Sequence, residues 1–300
     1  MNMKHLFVPC ALMSLILTGC GGGSGDEPSV IPEPKPEPEK IPITISTAIS
    51  RATDTAFEDG DRVGLFVVNY SGSTPDKLLT HGNYIDNHLF SFKGSWTPVS
   101  PVYWKDNATK ADFYCYYPYV SSISDVNACP FSVKSNQSSV SDYKAGDFLW
   151  GKTSGVSPSA SPVNILVKHL MSSLRIRLQA STGFTDSDLA LANVSVCGIK
   201  CNASVNLEDG TISASGATSE ILTCKNNGTY NVIVPPQSVS GTGLIKVVVN
   251  GTEYISDKTL NMESGKRYEC TVTLERIGHG ININISDWDS VDVDFGGIVE

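Results

Sequence analysis

Ile41-Pro42-Ile43-Thr44-Ile45-Ser46-Thr47-Ala48-Ile49-Ser50 is the stretch that decides the fold class. Ile41, Ile43, Ile45 and Ile49 share one face and small or polar residues take the other, which is the period-2 alternation of a half-buried strand. Arg51-Ala52-Thr53-Asp54-Thr55 then breaks the pattern, placing Arg51 on an exposed connection. Beyond it, Phe57 to Asp61 turns into Val63-Gly64-Leu65-Phe66-Val67-Val68. The same theme recurs as short β-branched or aromatic runs between Gly, Asn, Ser and Pro. They are Val102 to Trp104, Ala111 to Tyr117, Phe148 to Trp150, Val163 to Val167, Leu174 to Leu178, Val194 to Cys197, Tyr230 to Val234, Leu244 to Val249, Tyr268 to Leu274 and Ile281 to Ile285. Asn250-Gly251, between Val249 and Thr252, reads as a type I′ hairpin turn. No helical period competes over any long stretch, so the prediction is all-β, built of antiparallel sandwiches. The run Asn164 to Gln179, with His169-Leu170-Met171 at its centre, reads as the last strand of one domain passing into the first of the next.

Upstream of the first strand the composition is that of a tether. Gly21-Gly22-Gly23-Ser24-Gly25 is a flexible coil, and the alternating prolines from Pro32 to Pro38 favour polyproline II, which at ~3.1 Å per residue holds a folded body roughly 30 Å from an anchor. Before the tether, Lys4-His5 leads into an apolar run from Leu6 to Leu17 and then Leu17-Thr18-Gly19-Cys20. This is a signal peptide ending in a lipobox, too short for a membrane span. Small residues ahead of Cys20 suit the signal peptidase, and the Cys20 thiol takes the acyl chains, palmitate among them, that anchor the protein at ~0.8 kcal/mol per buried methylene. The expected location is a bacterial membrane, where the lipid holds the protein.

Removal of residues 1–19 from the 300 leaves 281, comfortable for two cores. The net charge of -9 argues against nucleic acid and anionic membrane surfaces as partners. Six cysteines lie beyond Cys20 (Cys115, Cys129, Cys197, Cys201, Cys224 and Cys270), an even number that permits disulfides without requiring them. Cys115 shares a strand face with Phe113 and reads as a small core residue. There is no Cys-x-x-Cys pair, no Gly-x-Ser-x-Gly, no His-Glu-x-x-His and no Walker sequence, and the histidines show no ligand spacing, so neither a catalytic residue, a metal site nor a cofactor is expected. The acidic run Asp287 to Asp294 lacks the glycine and terminal glutamate of an EF-hand loop. Trp96, Trp104, Trp150 and Trp288 would stack on sugars only if they lined a cleft, and aromatics of this kind are more often core residues in a sandwich.

Ser50-Arg51-Ala52-Thr53-Asp54-Thr55-Ala56-Phe57-Glu58-Asp59-Gly60-Asp61-Arg62-Val63-Gly64-Leu65-Phe66, Tyr103-Trp104 and Asp112 to Tyr119 resemble, in that order, the fimbrillin-like family of Bacteroidales surface lipoproteins. Asn136-Gln137, Tyr143, Gly146 to Gly151 and His169 to Ile176 are similar to its middle segment, and Pro235-Pro236-Gln237, Gly265 to Tyr268 and Ile285 to Trp288 to its end. Cys115 departs from the pattern, standing where that family would carry a small residue such as alanine. The resemblance implies two transthyretin-like antiparallel β-sandwich domains in tandem. Their bounds here are residues 41–170 and 171–300, after a signal peptide (1–19) and a lipidated tether (20–40).

It also implies a type V pilus subunit serving adhesion, on the outward face of the outer membrane. In such pilins a trypsin-like protease cuts after an arginine following the first strand, and a strand of another subunit fills the vacancy. Arg51 and Ala52 match the cut, and Ile41, Ile43, Ile45 and Ile49 belong to the displaced strand. Burying four isoleucines at roughly 1.5–3 kcal/mol each gives about 6–12 kcal/mol, on the scale of a whole domain's stability. Val291, Val293 and Phe295 alternate in the manner a donor strand requires. The implied partners are therefore other fimbrial subunits, the processing protease and, through the lipid, the outer membrane. The competing reading is a monomeric surface lipoprotein that binds a glycan or host ligand through exposed aromatics and keeps its first strand.

Overall fold

Val63 to Val68 and, Asp112 apart, Ala111 to Tyr117 carry apolar or aromatic residues on both faces, and the fold shows why: their sheet is covered on both sides. In a computed structural model of the chain, residues 39–49, 57–240, 243–256, 259–277, 280–285 and 289–292 are described, with side chains considered only up to residue 276. The described residues from Lys40 onward form one compact unit.

The first sheet contains β1 (Ile45–Ile49), β2 (Arg62–Ser71), β3 (Thr74–Pro75), β4 (Ile85–Phe92), β5 (Trp96–Pro98), β6 (Ala111–Tyr117), β8 (Leu149–Val156) and β9 (Val163–His169). Its order is β1-β9-β8-β6-β2-β4-β5, with β3 against β2. On one face, Val63, Leu65 and Val67 of β2, Phe113 and Cys115 of β6, and Val163, Ile165 and Val167 of β9 converge on a first core. On the other, Phe66, Val68, Tyr114, Tyr116 and Trp150 belong to a larger second core.

That second core lies mainly among strands later in the chain: β10 (Ser172–Ala180), β11 (Asn193–Val205), β12 (Ile212–Leu222), β13 (Cys224–Asn226), β14 (Thr229–Val234), β15 (Gln237–Val239), β16 (Ile245–Val249), β17 (Thr252–Ser256), β18 (Leu260–Met262), β19 (Lys266–Ile277), β20 (Gly280–Ile285) and β21 (Asp289–Asp292). One sheet runs β13-β14-β10-β19-β20 with β21 on β19, another β12-β11-β16-β17, and β15 pairs β18. Asn250 and Gly251 both take positive φ (50° and 79°) between β16 and β17, as a type I′ turn requires.

One excursion crosses from the first half of the chain to the second. β7 (Cys129–Ser132) pairs with β11, Asn136 bridges Leu222, and the short helix α1 (Val140–Lys144) packs on β14; a second short helix, α2 (Asp186–Ala190), precedes β11. Gln137, fully buried, connects two sheets in this excursion. Its amide nitrogen donates to the Ile233 carbonyl at 2.8 Å and its oxygen accepts from the Ile233 N–H at 2.9 Å, while its own backbone N–H donates to Leu222 at 2.9 Å.

Three sequence expectations change. The ladder of the first strand covers only Ile45–Ile49, because Pro42 has no N–H to donate and makes an isolated bridge to Tyr103. Val102 to Trp104 supplies that bridge rather than a strand of its own. Two pairings, β1 with β9 and β10 with β19, are parallel within an otherwise antiparallel architecture. Cys115 is buried in the first core as read, and it is a free thiol, as are Cys129, Cys197, Cys201 and Cys224.

Candidate strand-exchange site

The seat of β1 is built from the two ends of the first sheet. β1 lies at one edge, in parallel register with β9 from Ile45↔Val163 to Ile49↔Val167. Upstream of the ladder, Ile43 N–H donates to the Val102 carbonyl (2.8 Å) and Trp104 N–H to the Ile41 carbonyl (2.9 Å). Residues 41–49 therefore bridge from the segment before β6 to β9, across the mouth of the first core. At the opposite edge, β5 brings Trp96, whose indole Nε1 donates to Thr47 Oγ1 at 2.8 Å. The sheet thus curls until its two edge strands touch, and β1 is the strand that closes it.

The isoleucine row is unequally buried. Ile43 and Ile45 are 2% and 5% exposed, whereas Ile41 and Ile49 are half-buried at the two ends. Full burial of two isoleucines stabilises by about 3–6 kcal/mol, half of what four would give. Thr47 occupies the same inward row, and the Trp96 indole satisfies its hydroxyl there. On the outward face Ser46 Oγ hydrogen-bonds Asn164 Oδ1, and Ala48 lies in register with Leu166, a large apolar residue left 59% exposed.

Trp96 also touches the chain that resumes after β1. Phe57 packs edge-on to it with ring centroids 4.9 Å apart, and against Phe92 and Tyr117 at 6.2 and 5.9 Å. The following turn is tied by Glu58 N–H donating to Asp61 Oδ2 at 2.8 Å and by Lys144 Nζ to Glu58 Oε1 at 2.7 Å. Burial holds the Asp61 carboxyl above its ordinary pKa. Both sides of the segment 50–56 are therefore anchored on one aromatic cluster.

Cys20, Arg51, Ala52, Val293 and Phe295 lie outside the described residues. Val291 falls in β21, whose backbone pairs antiparallel with β19 from Lys266↔Asp292 to Glu269↔Asp289, Val291 opposite Arg267. Trp96, Trp104 and Trp150 are buried, at 8%, 5% and 8% exposure, and Trp288 lies outside the described residues. Among the described residues no group of three His, Cys, Asp or Glu is placed to hold a metal ion, and no helix is long and apolar enough to cross a membrane. Sequence reasoning missed the parts played by Thr47, Asn164 and Leu166, and named Trp96 only as a sugar-stacking or core aromatic. The one available signal was Thr47, the polar member of an apolar row; its partners lie 49 or more residues away in the chain.

The sequence matches the fimbrillin-like family over residues 50–288. It is 25% identical over 304 residues to a Bacteroides uniformis protein provisionally named fimbrium subunit Fim1C, covering 95% of this chain and 96% of that one. Two crystal structures of proteins provisionally described as cell adhesion proteins share the fold. One, from Bacteroides uniformis, is 23% identical with a TM-score of 0.62 over 83% of this chain and 98% of its own. The other, from Bacteroides ovatus, is 20% identical with a TM-score of 0.68 over 85% and 99%.

Proposed function

The chain belongs to the fimbrillin-like family, and on that premise we propose that it is a fimbrial subunit of the bacterial surface, joined to other subunits by strand exchange at the seat of β1. It reaches the surface as a lipoprotein on Cys20, and a trypsin-like protease cuts between Arg51 and Ala52. Its role is structural and adhesive, with no catalytic residue assigned. The observation that carries the reading is that the segment 41–49 closes the first core through Ile43 and Ile45, yet its strand β1 meets the sheet along one edge only and ends two residues before Arg51. A cut there turns the closing strand into a separate, exchangeable piece. The family match begins at residue 50, which supports a working body that starts near Arg51. A second subunit supplies Val291, Val293 and Phe295, with β21 first leaving its four pairings on β19.

The N-terminus of the surface-exposed protein tests this. A chain beginning at Ala52, together with ladders that survive detergent without boiling, is expected. Substitution of Arg51 by alanine abolishes both; if processing and ladders persist in that variant, the assigned cut is wrong. A surface protein retaining acylated Cys20 and running as a monomer overturns the assembly reading.

A further inference from the structure

Resting on that reading, we propose that the donor strand enters the seat of β1 in the opposite direction to β1, antiparallel to β9, with residues 288–295 of a second copy held in register by Trp96 and Asn164.

Three marks on the seat specify its occupant. Positions 43 and 45 are apolar and closed. Position 47 faces the Trp96 indole N–H, a partly buried donor that needs an oxygen. Position 46 faces Asn164, outside the sheet, and position 48 faces the exposed Leu166.

Laid in the direction of β1, Val291 and Val293 at positions 43 and 45 put Phe295 against the indole; shifted two residues, the segment puts Gly297 there. Either way Trp96 Nε1 loses its acceptor. Laid in reverse, Phe295, Val293 and Val291 take positions 41, 43 and 45, Ser290 meets Asn164 as Ser46 does, Asp289 presents a carboxylate to the indole, and Trp288 covers Leu166. Reversal preserves which side chains face inward, because alternation is symmetric along a strand. On β9 it replaces a parallel ladder by an antiparallel one, which is slightly more stable per residue, while the antiparallel bridge of Pro42 to Tyr103 becomes parallel.

The experiment uses the full chain with a specific protease sequence in place of residues 51–56, cut and left holding its own β1, and a synthetic peptide of residues 286–298. That engineered cut makes the test independent of whether Arg51 is the natural site. Asn164→Cys in the chain is paired with Ser290→Cys or Asp294→Cys in the peptide. In the reversed register Ser290 lies opposite Asn164, within disulfide reach; in the β1 direction Asp294 does when Val291 takes position 43, and Gly296, tested in the same way as Gly296→Cys, does when Val291 takes position 41. Crosslinking through Ser290→Cys and not through Asp294→Cys or Gly296→Cys is the expected result; the converse overturns the proposal. In the otherwise unaltered chain, Asp289→Leu weakens peptide uptake about tenfold by leaving the indole unsatisfied, and in Trp96→Phe the same change costs less than twofold. Equal losses in both backgrounds also overturn it. A peptide that never enters defeats the strand-exchange reading with it, whereas one that enters through Asp294→Cys or Gly296→Cys defeats only the direction and register assigned here.

Discussion

The two cores of this protein are closed in different ways. The first, inside the curled sheet, is completed by one short strand at the N-terminal end, held by five parallel residue pairs and two fully buried isoleucines. The second is lined from both halves of the chain and tied across by β7, Gln137 and α1. The second core is bounded by several sheets and by strands from both halves of the chain. Removing β1 from the first opens it along its length. A core that depends on one terminal strand suits an exchangeable joint, and a core interlocked by distant segments suits the permanent body.

The contrast is broken or sharpened most strongly at Ile45. Ile45→Ala is expected to cost about 2–5 kcal/mol, with amide protection lost in β1 and β9 well before β10 and β14. Hydrogen exchange checks this, and simultaneous loss in all four strands would mean that the two cores unfold as one. Next in size is Gln137→Ala, which strands the Ile233 N–H and carbonyl in the interior. Its expected cost is about 2–4 kcal/mol, read as a fall in the midpoint of the second core's unfolding. A cost no larger than that of an exposed substitution would show that the excursion from β7 to α1 does not brace that core.

The smallest effect concerns Cys115, whose thiol burial pushes from 9.0 up to about 12. The unfolded chain releases this proton above pH 9 and the folded one keeps it, so stability is unaffected below pH 9 and is lost as pH rises from 9 towards 12. The slope is about 1.4 kcal/mol per pH unit for one such group. Cys115→Ala removes that share of the alkaline sensitivity. Denaturant titrations at pH 8 and pH 10 measure it, and an unchanged pH slope would mean that Cys115 is not sealed in the first core.

Much of the strand content was legible in residues because alternation is a local signal. Ile41 to Ile49 and the strands flanking the Asn250-Gly251 hairpin show it directly. β12 escaped notice because Ile212–Leu222 is mostly exposed and rich in serine, alanine and glycine, so its place in a sheet comes from β11 rather than from its own pattern. The candidate site was half legible. The isoleucine row named the strand, but the number of those side chains that are buried depends on where Pro42 interrupts pairing and on which end of the row lies open.

Sequence alone determined that the chain is all-β and that its first strand has one apolar face, because both follow from side-chain alternation within a few residues. Tertiary structure decided that this strand closes a core, that it runs parallel to β9, and that Thr47 faces Trp96. Those facts depend on a sheet curling until its edges meet, a contact between residues 49 positions apart that no local pattern encodes.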